Sequence, residues 1–203
     1  CERWLMDRWE DERFPVTIVR PSHTYSKRWI PNPVSSASYS FASRLERGLP
    51  VFVPDDGECP WTLTAADDFA VGLCGLAGNS RALGHAFHIT SDEALTWNQI
   101  VAAIASAMGV ESPDVAKVPV DFICRHAPSL TGTLKGDKAH PGVFDNSKIK
   151  SFVPDFLCLK SFRDGIRESV AWLRSHPARQ NLNPQVDAMC DAVVHAWREN
   201  ARS

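Results

Sequence analysis

The run Val16-Thr17-Ile18-Val19 is closed at once by Arg20-Pro21, and all four of its residues are β-branched. Such side chains are stiff at χ1 and suit a pleated backbone. A short run of this kind reads as a buried strand, the type that parallel sheets use. Pro21 has no N–H for a ladder, so the strand ends there. Ser22, His23, Thr24 and Tyr25 follow directly. Open α/β sheets bind ligands outside the carboxyl ends of their strands, which makes these four candidate pocket residues. They fit equally well a loop whose side chains satisfy its own backbone.

The rest of the chain alternates between the two periods. Residues 3–12 carry Trp4, Leu5 and Trp9 on one side and read as the end of an amphipathic helix. A helix is expected from about Ser36 to Arg47, closed by Gly48, followed by a strand at Val51–Val53 and a turn at Asp55-Asp56-Gly57. Trp61–Thr64 is extended, and a helix starts near Ala66 with Asp67 and Asp68 at its positive end. Ala86–Ile89 reads as a strand. Thr96 and Gln99 have capping-box spacing, ahead of a helix that Gly109 ends. Val118 to about Ala127 reads as a strand end and a short helix, and residues 128–143 as loop. Helices follow from Ser161-x-x-Asp164 to His176-Pro177 and over the stripe Val186, Met189, Cys190, Val193, Val194, Trp197. Strands alternate with helices, and helices dominate the second half, so the chain is α/β with a helix-rich C-terminal part.

With 203 residues there is room for one large domain or one and a half small ones. A formal net charge of −2 supplies no general field for nucleic acid or anionic membrane. The apolar stretches are too short to span a bilayer. Six cysteines without a Cys-x-x-Cys pair point to a reduced, cytoplasmic protein rather than a disulfide framework. The chain opens inside a helical pattern without an initiating Met, which suggests that its beginning is missing.

Gly72, Gly75 and Gly78 have the spacing of a dinucleotide-binding loop, but such a loop needs a strand before it and a helix after it. Here the order is reversed, and the glycines read as a helix packed closely through small residues. His85-x-x-His88 would point to opposite faces of a strand and has no third ligand nearby, so no metal site is expected. No Gly-x-Ser-x-Gly elbow supports a hydrolase triad. Seven Trp residues without a basic groove do not make a nucleic-acid platform.

"FPVTIVRPSHTYS" resembles the strand and loop that follow the catalytic helix in extended short-chain dehydrogenases/reductases, the NAD-dependent epimerase/dehydratase family. "DDGECPWTLTAADDFAVGL", "AFHITSDEALTWNQIVAAIASAMG" and "FDNSKIKSFVPDF" with "SFRDGIRESVAWL" are similar to later parts of the same family, in order. The resemblance implies that residues 1–203 are the C-terminal portion of such an enzyme. The last strands and helices of a Rossmann-type parallel sheet would interleave with a smaller, helix-rich substrate-binding lobe. It further implies an NAD- or NADP-dependent oxidoreductase, epimerase or dehydratase acting by hydride transfer on a sugar-like or other carbinol or carbonyl substrate.

Carried over by position, Pro21, Ser22 and His23 would border the cofactor. His23, Thr24, Tyr25 and Trp61 would line the substrate site. Trp61 departs from the pattern, because many relatives that act on nucleotide sugars have an Arg there to hold the diphosphate. An indole makes no bidentate phosphate contact, so Trp61 would pack on a sugar ring or serve as core. Lys148 and Pro154 match positions of structural character. The family's Tyr-x-x-x-Lys pair and Gly-rich loop would precede Cys1, so no catalytic residue is expected in this chain and the chain alone is expected to be inactive. Dimerisation in the intact protein would use the helix that ends near Trp9. The rival reading is a non-catalytic binding or regulatory protein of the same fold.

Overall fold

In the computed structural model, which describes residues 1–34 and 38–202, strands and helices alternate along the chain. In order these are α1 (Glu2–Glu12), β1 (Thr17–Pro21), β2 (His23–Tyr25), α2 (Ser40–Glu46), β3 (Val51–Pro54), β4 (Pro60–Ala65), α3 (Ala66–Leu76) and β5 (His85–Ile89). Then come β6 (Ala94–Thr96), α4 (Trp97–Met108), β7 (Val115–Val118), α5 (Val120–His126), α6 (Thr131–Thr133), α7 (Ser147–Phe152), α8 (Phe162–Ser175) and α9 (Pro184–Asn200). The chain divides into two compact units. The first is Cys1–Thr24, Thr62–Glu93 and Phe144–Ser161; the second is Tyr25–Trp61, Ala94–Val143 and Phe162–Ser203.

The first unit is built on a parallel pair. β1 lies beside β5 with Thr17 opposite His85 and Pro21 opposite Ile89, so both strands end together. Phe87 and Ile89 enter a core with Leu76, Ala82, Ile149, Val153 and Phe156, against which Val19, Phe69 and Phe152 pack. This core depends on two glycines of α3. A Cβ on Gly72 would lie 2.7 Å from Ile89 Cγ2, and one on Gly75 would lie 2.3 Å from Val153 Cγ1. Gly72 and Gly75 therefore pack α3 closely, as their place in the sequence indicated, while Gly78, at φ +74°, follows the end of the helix. Gly84, at φ +73°, does the same for α1: a Cβ there would sit 2.1 Å from the Trp9 indole nitrogen. Any side chain at Gly84 would also be strained by that backbone conformation.

The second unit carries the parallel pair β3 and β7, with Val51 opposite Val115 and Pro54 opposite Val118. Around it the apolar faces of the helices are buried, among them Phe41 and Leu45 of α2, Ile100 and Ile104 of α4, Ile166 and Val170 of α8, and Val193 and Val194 of α9. The Thr96–Gln99 capping box is present, and Gly109 ends α4 in the left-handed conformation. Arg44 is fully buried. Its guanidinium donates to the carbonyls of Pro50 (2.9 Å) and Asp187 (3.0 Å) and pairs with the carboxylates of Asp187 and Asp191, which ties α2 to α9.

Two expectations need correction or limit. Residues 128–138 are not loop: a 3-10 turn (Pro128–Leu130), α6 and one π turn (Leu134–Lys138) run on from one another. The reason is a four-residue spacing that the Gly and Lys content obscured, since Leu130, Leu134 and Lys138 are all buried. The helix expected from Ser36 is described from Ser40; its expected start lies outside the described residues.

The packing of α3 yields a direct test. Gly75→Ala forces a methyl group into Val153 and is expected to destabilise the protein by about 1–3 kcal/mol in urea unfolding. Val153→Ala in the same chain is expected to relieve part of that loss. Full stability in Gly75→Ala alone would show that α3 does not sit this close.

Candidate functional site

The polar groups of the first unit gather where β1 and β5 end. Pro21, exposed, closes β1 opposite Ile89. Ser22, the next residue, places its hydroxyl 2.6 Å from that of Thr64, near the end of β4. Thr64 is buried and also accepts the backbone N–H of Ser91 at 2.8 Å. Ser91 lies two residues past the end of β5, and its own hydroxyl accepts the N–H of Glu93 at 3.1 Å. Thr24 returns its hydroxyl to the Ser22 carbonyl at 3.2 Å. His23, half-buried, opens β2 between them. Three chain segments that are far apart in sequence thus meet through hydroxyls at one end of the parallel pair.

The segment after β5 is held from the other side as well. Asn146 donates to the Thr90 carbonyl and to Asp92, both at 2.8 Å. Lys150 grips both carboxylate oxygens of Asp92, at 2.6 and 2.7 Å. The Lys150 ammonium holds the Asp92 carboxyl below the usual carboxylate range, with a smaller contribution from Asn146. The Cys158 thiol donates to the Thr90 carbonyl at 3.4 Å, and burial pushes it up to about 12, which leaves it unreactive as a nucleophile. The Thr90 hydroxyl is buried and has no hydrogen-bond partner among the described residues. Thr64, Thr90, Ser91, Asp92, Asn146 and Lys150 were not singled out from sequence. The available signal was their position: each lies within a few residues of a strand end or of α7.

Two other candidates lie in the second unit. Tyr25 is only 2% exposed; its ring meets Phe162 edge-on at 5.4 Å, and its hydroxyl lies against Gly165 of α8, where a Cβ would come within 2.0 Å. Trp61 is 5% exposed and packs on Trp97 at 5.3 Å. Gly142 lies over it, bridged to the Trp61 backbone, with its N–H donating to the Pro60 carbonyl at 2.9 Å. These surroundings match the core side of the two readings of Trp61.

The Trp97 indole leads on to an unexpected group. Its N–H donates to the Lys138 carbonyl at 2.9 Å, and the Lys138 ammonium, 2% exposed, lies 5.9 Å from the Trp97 ring. That ammonium donates to the Asn32 carbonyl at 2.9 Å. Burial lowers the Lys138 pKa from its ordinary value to about 8.

A Lys whose pKa falls on folding costs stability wherever it is charged in the folded state. The cost is fully present below about pH 8 and disappears as pH rises toward the unfolded value of about 10.5. Stability is therefore expected to rise between about pH 8 and pH 10, and Lys138→Met is expected to flatten that rise relative to the parent chain in urea titrations at each pH. Identical pH profiles for the two chains would contradict the assignment.

No protein-family model matches the sequence, and no curated protein matches it. Solved structures do. One is a UDP-glucose 4-epimerase from Thermotoga maritima, solved with UDP-glucose: 20% identity, TM-score 0.65, covering 86% of this chain and 50% of that one. A second is an epimerase from Methanothermobacter thermautotrophicus: 15% identity, TM-score 0.69, covering 87% and 48%. A third is a dTDP-glucose 4,6-dehydratase from Bacillus anthracis, solved in complex with NAD: 16% identity, TM-score 0.65, covering 87% and 50%. The chain spans about half the length of the structures it matches. At these identities the likeness is one of fold, and it bears out the Rossmann-type α/β architecture: the chain folds as about half of an epimerase or dehydratase of this kind.

Proposed function

We propose that this chain supplies the substrate-binding lobe and the last strands of the cofactor fold of an NAD(P)-dependent oxidoreductase of the epimerase/dehydratase type. The observation that carries the reading is the hydroxyl cluster of Ser22, Thr64 and Ser91 at the carboxyl ends of β1 and β5, on a fold shared with NAD-binding enzymes. The Ser91 N–H occupies one lone pair of the Thr64 oxygen. When Thr64 then donates its own proton to Ser22, the Ser22 hydroxyl is left to donate outward to a bound group.

The residues fit one end of a dinucleotide only. Pro21 gives an exposed ring, Ser22 a fixed hydroxyl and His23 a half-buried imidazole. None of these is a phosphate cradle, and Gly72 and Gly75 are taken up in packing α3. The nicotinamide ring, which gives or takes the hydride, would sit beside Pro21 and Ser22, and its pyrophosphate would be held by groups outside these residues. His23 and Thr24 would face the substrate; Tyr25 and Trp61 are buried within the second unit. Neither Tyr25 nor Tyr39 is followed four residues later by a Lys, so this chain carries no Tyr-x-x-x-Lys acid/base pair. The substrate class is a sugar-like molecule with an oxidisable carbinol, as in the UDP-glucose bound by the Thermotoga maritima enzyme. Location in the cytoplasm fits the six free cysteines; no helix among the described residues is long and apolar enough to cross a membrane.

The test is a hydride-transfer assay, read as nicotinamide absorbance and product stereochemistry, with NAD or NADP and a panel of nucleotide sugars. It compares the product of the complete reading frame with the 203-residue chain. Turnover by the former and none by the latter is the expected result, with Ser22→Ala lowering kcat/KM about tenfold or more through loss of one positioned hydrogen bond. Turnover by the 203-residue chain alone, or a reading frame that supplies no cofactor-binding half, would overturn the reading.

A further inference from the structure

The Thr90–Ser91 peptide is held on both sides. Its carbonyl accepts the Asn146 side-chain amide at 2.8 Å, and its N–H donates to the Thr64 hydroxyl, also at 2.8 Å. The packing of α3 sets the level of this peptide; its rotation about the chain follows from what its carbonyl meets. Asn146 is 8% exposed, and the same Nδ2 group donates to Asp92 at 2.8 Å. A carboxylate only accepts, so Asp92 fixes which end of the Asn146 amide faces Thr90. Lys150 in turn holds both oxygens of Asp92.

From Thr64 onward the direction of donation is forced. Its hydroxyl is fully buried and, among the described residues, meets the Ser91 N–H and the Ser22 hydroxyl. The first is a donor, so the acceptor left for the Thr64 proton is Ser22 Oγ. The Ser22 proton is then turned away from the cluster, and Ser22 is only half-buried. Every bond from Asn146 to Ser22 donates the same way, and hydrogen bonds aligned like this polarise one another.

We propose that Asn146 is a positioning residue. Held by Asp92 and Lys150, it turns the Thr90–Ser91 peptide so that Ser91 and Thr64 make Ser22 an outward donor, and the ligand group that Ser22 meets is an acceptor oxygen. Asn146 acts only through Ser91, Thr64 and Ser22. The inference rests on the oxidoreductase reading for its ligand, but not for the relay.

Amide exchange and a double-mutant cycle test it together. In the 203-residue chain, exchange of the Ser91 amide, followed by NMR, is expected to quicken about tenfold in Asn146→Leu. The Val110 amide, bonded to the Ala105 carbonyl in the second unit, is the control and is expected to keep its rate. In the complete reading-frame product, Asn146→Leu and Thr64→Val are each expected to lower kcat/KM about three- to tenfold, but less than about twofold once Ser22→Ala is present. Thr64→Ser keeps the hydroxyl and is expected to recover most of the loss seen in Thr64→Val. Titration with NAD alone, set beside the KM for the nucleotide sugar, tells whether the acceptor oxygen belongs to the cofactor or to the substrate. No quickening at Ser91, or equal quickening at Val110, would overturn the relay whatever the activity. Losses that multiply with that of Ser22→Ala would also overturn it, and would leave the oxidoreductase reading standing. A complete product without turnover would overturn that reading, while exchange at Ser91 still decides the relay.

Discussion

The first unit depends on how closely α3 approaches the parallel pair. Helices normally stand off from a sheet by the length of their side chains. Here Gly72 and Gly75 leave the helix backbone in contact with Ile89, Phe156 and Val153, and the missing side chains are replaced by those of the strand and of the segment after α7. That contact fixes Ile89, the last residue of β5, and through it the level at which Thr90 and Ser91 leave the sheet. Thr64 lies two residues before α3, so the same docking sets its position. The hydrogen bonds from Ser91 to Thr64 and between Thr64 and Ser22 follow from an apolar packing arrangement, not from the polar residues themselves.

Much of this was legible in the sequence because the signals were local. β-Branched runs gave β1 and β3, the Thr96–Gln99 box gave the start of α4, and glycines marked the ends of α3 and α4. The Gly72–Gly78 motif was resolved by order alone, a helix preceding the glycines instead of following them. What escaped was non-local or masked by composition. The helical turns at 128–138 contain two glycines and three lysines or aspartates among eleven residues, which reads as loop unless burial at Leu130, Leu134 and Lys138 is known. The cluster around Ser91 escaped for a different reason. Its members come from three distant segments, and nothing in a serine or threonine marks it as a partner for another.

The second unit places charge where a core would ordinarily be apolar. Arg44, itself fully buried, is satisfied by two carbonyls and two carboxylates and works as a clamp between helices; truncating it would remove that clamp and leave a cavity. Lys138 is a different case. Its ammonium has one carbonyl and an aromatic face, with no carboxylate in hydrogen-bond contact among the described residues, and burial lowers its pKa. Both hold backbone segments that the helices alone would leave loose: Pro50 before β3, and the buried stretch around Asn32.

The account stands or falls on whether ligand meets the carboxyl end of β1 and β5. Hydrogen–deuterium exchange of the complete reading-frame product, with and without NAD, measures this most directly. Protection confined to peptides covering Pro21–Tyr25 and Ile89–Glu93 is the predicted result, because the Ser91 N–H and the Ser22 backbone sit at that end. Protection elsewhere in this chain, with those two peptides unchanged, would contradict it.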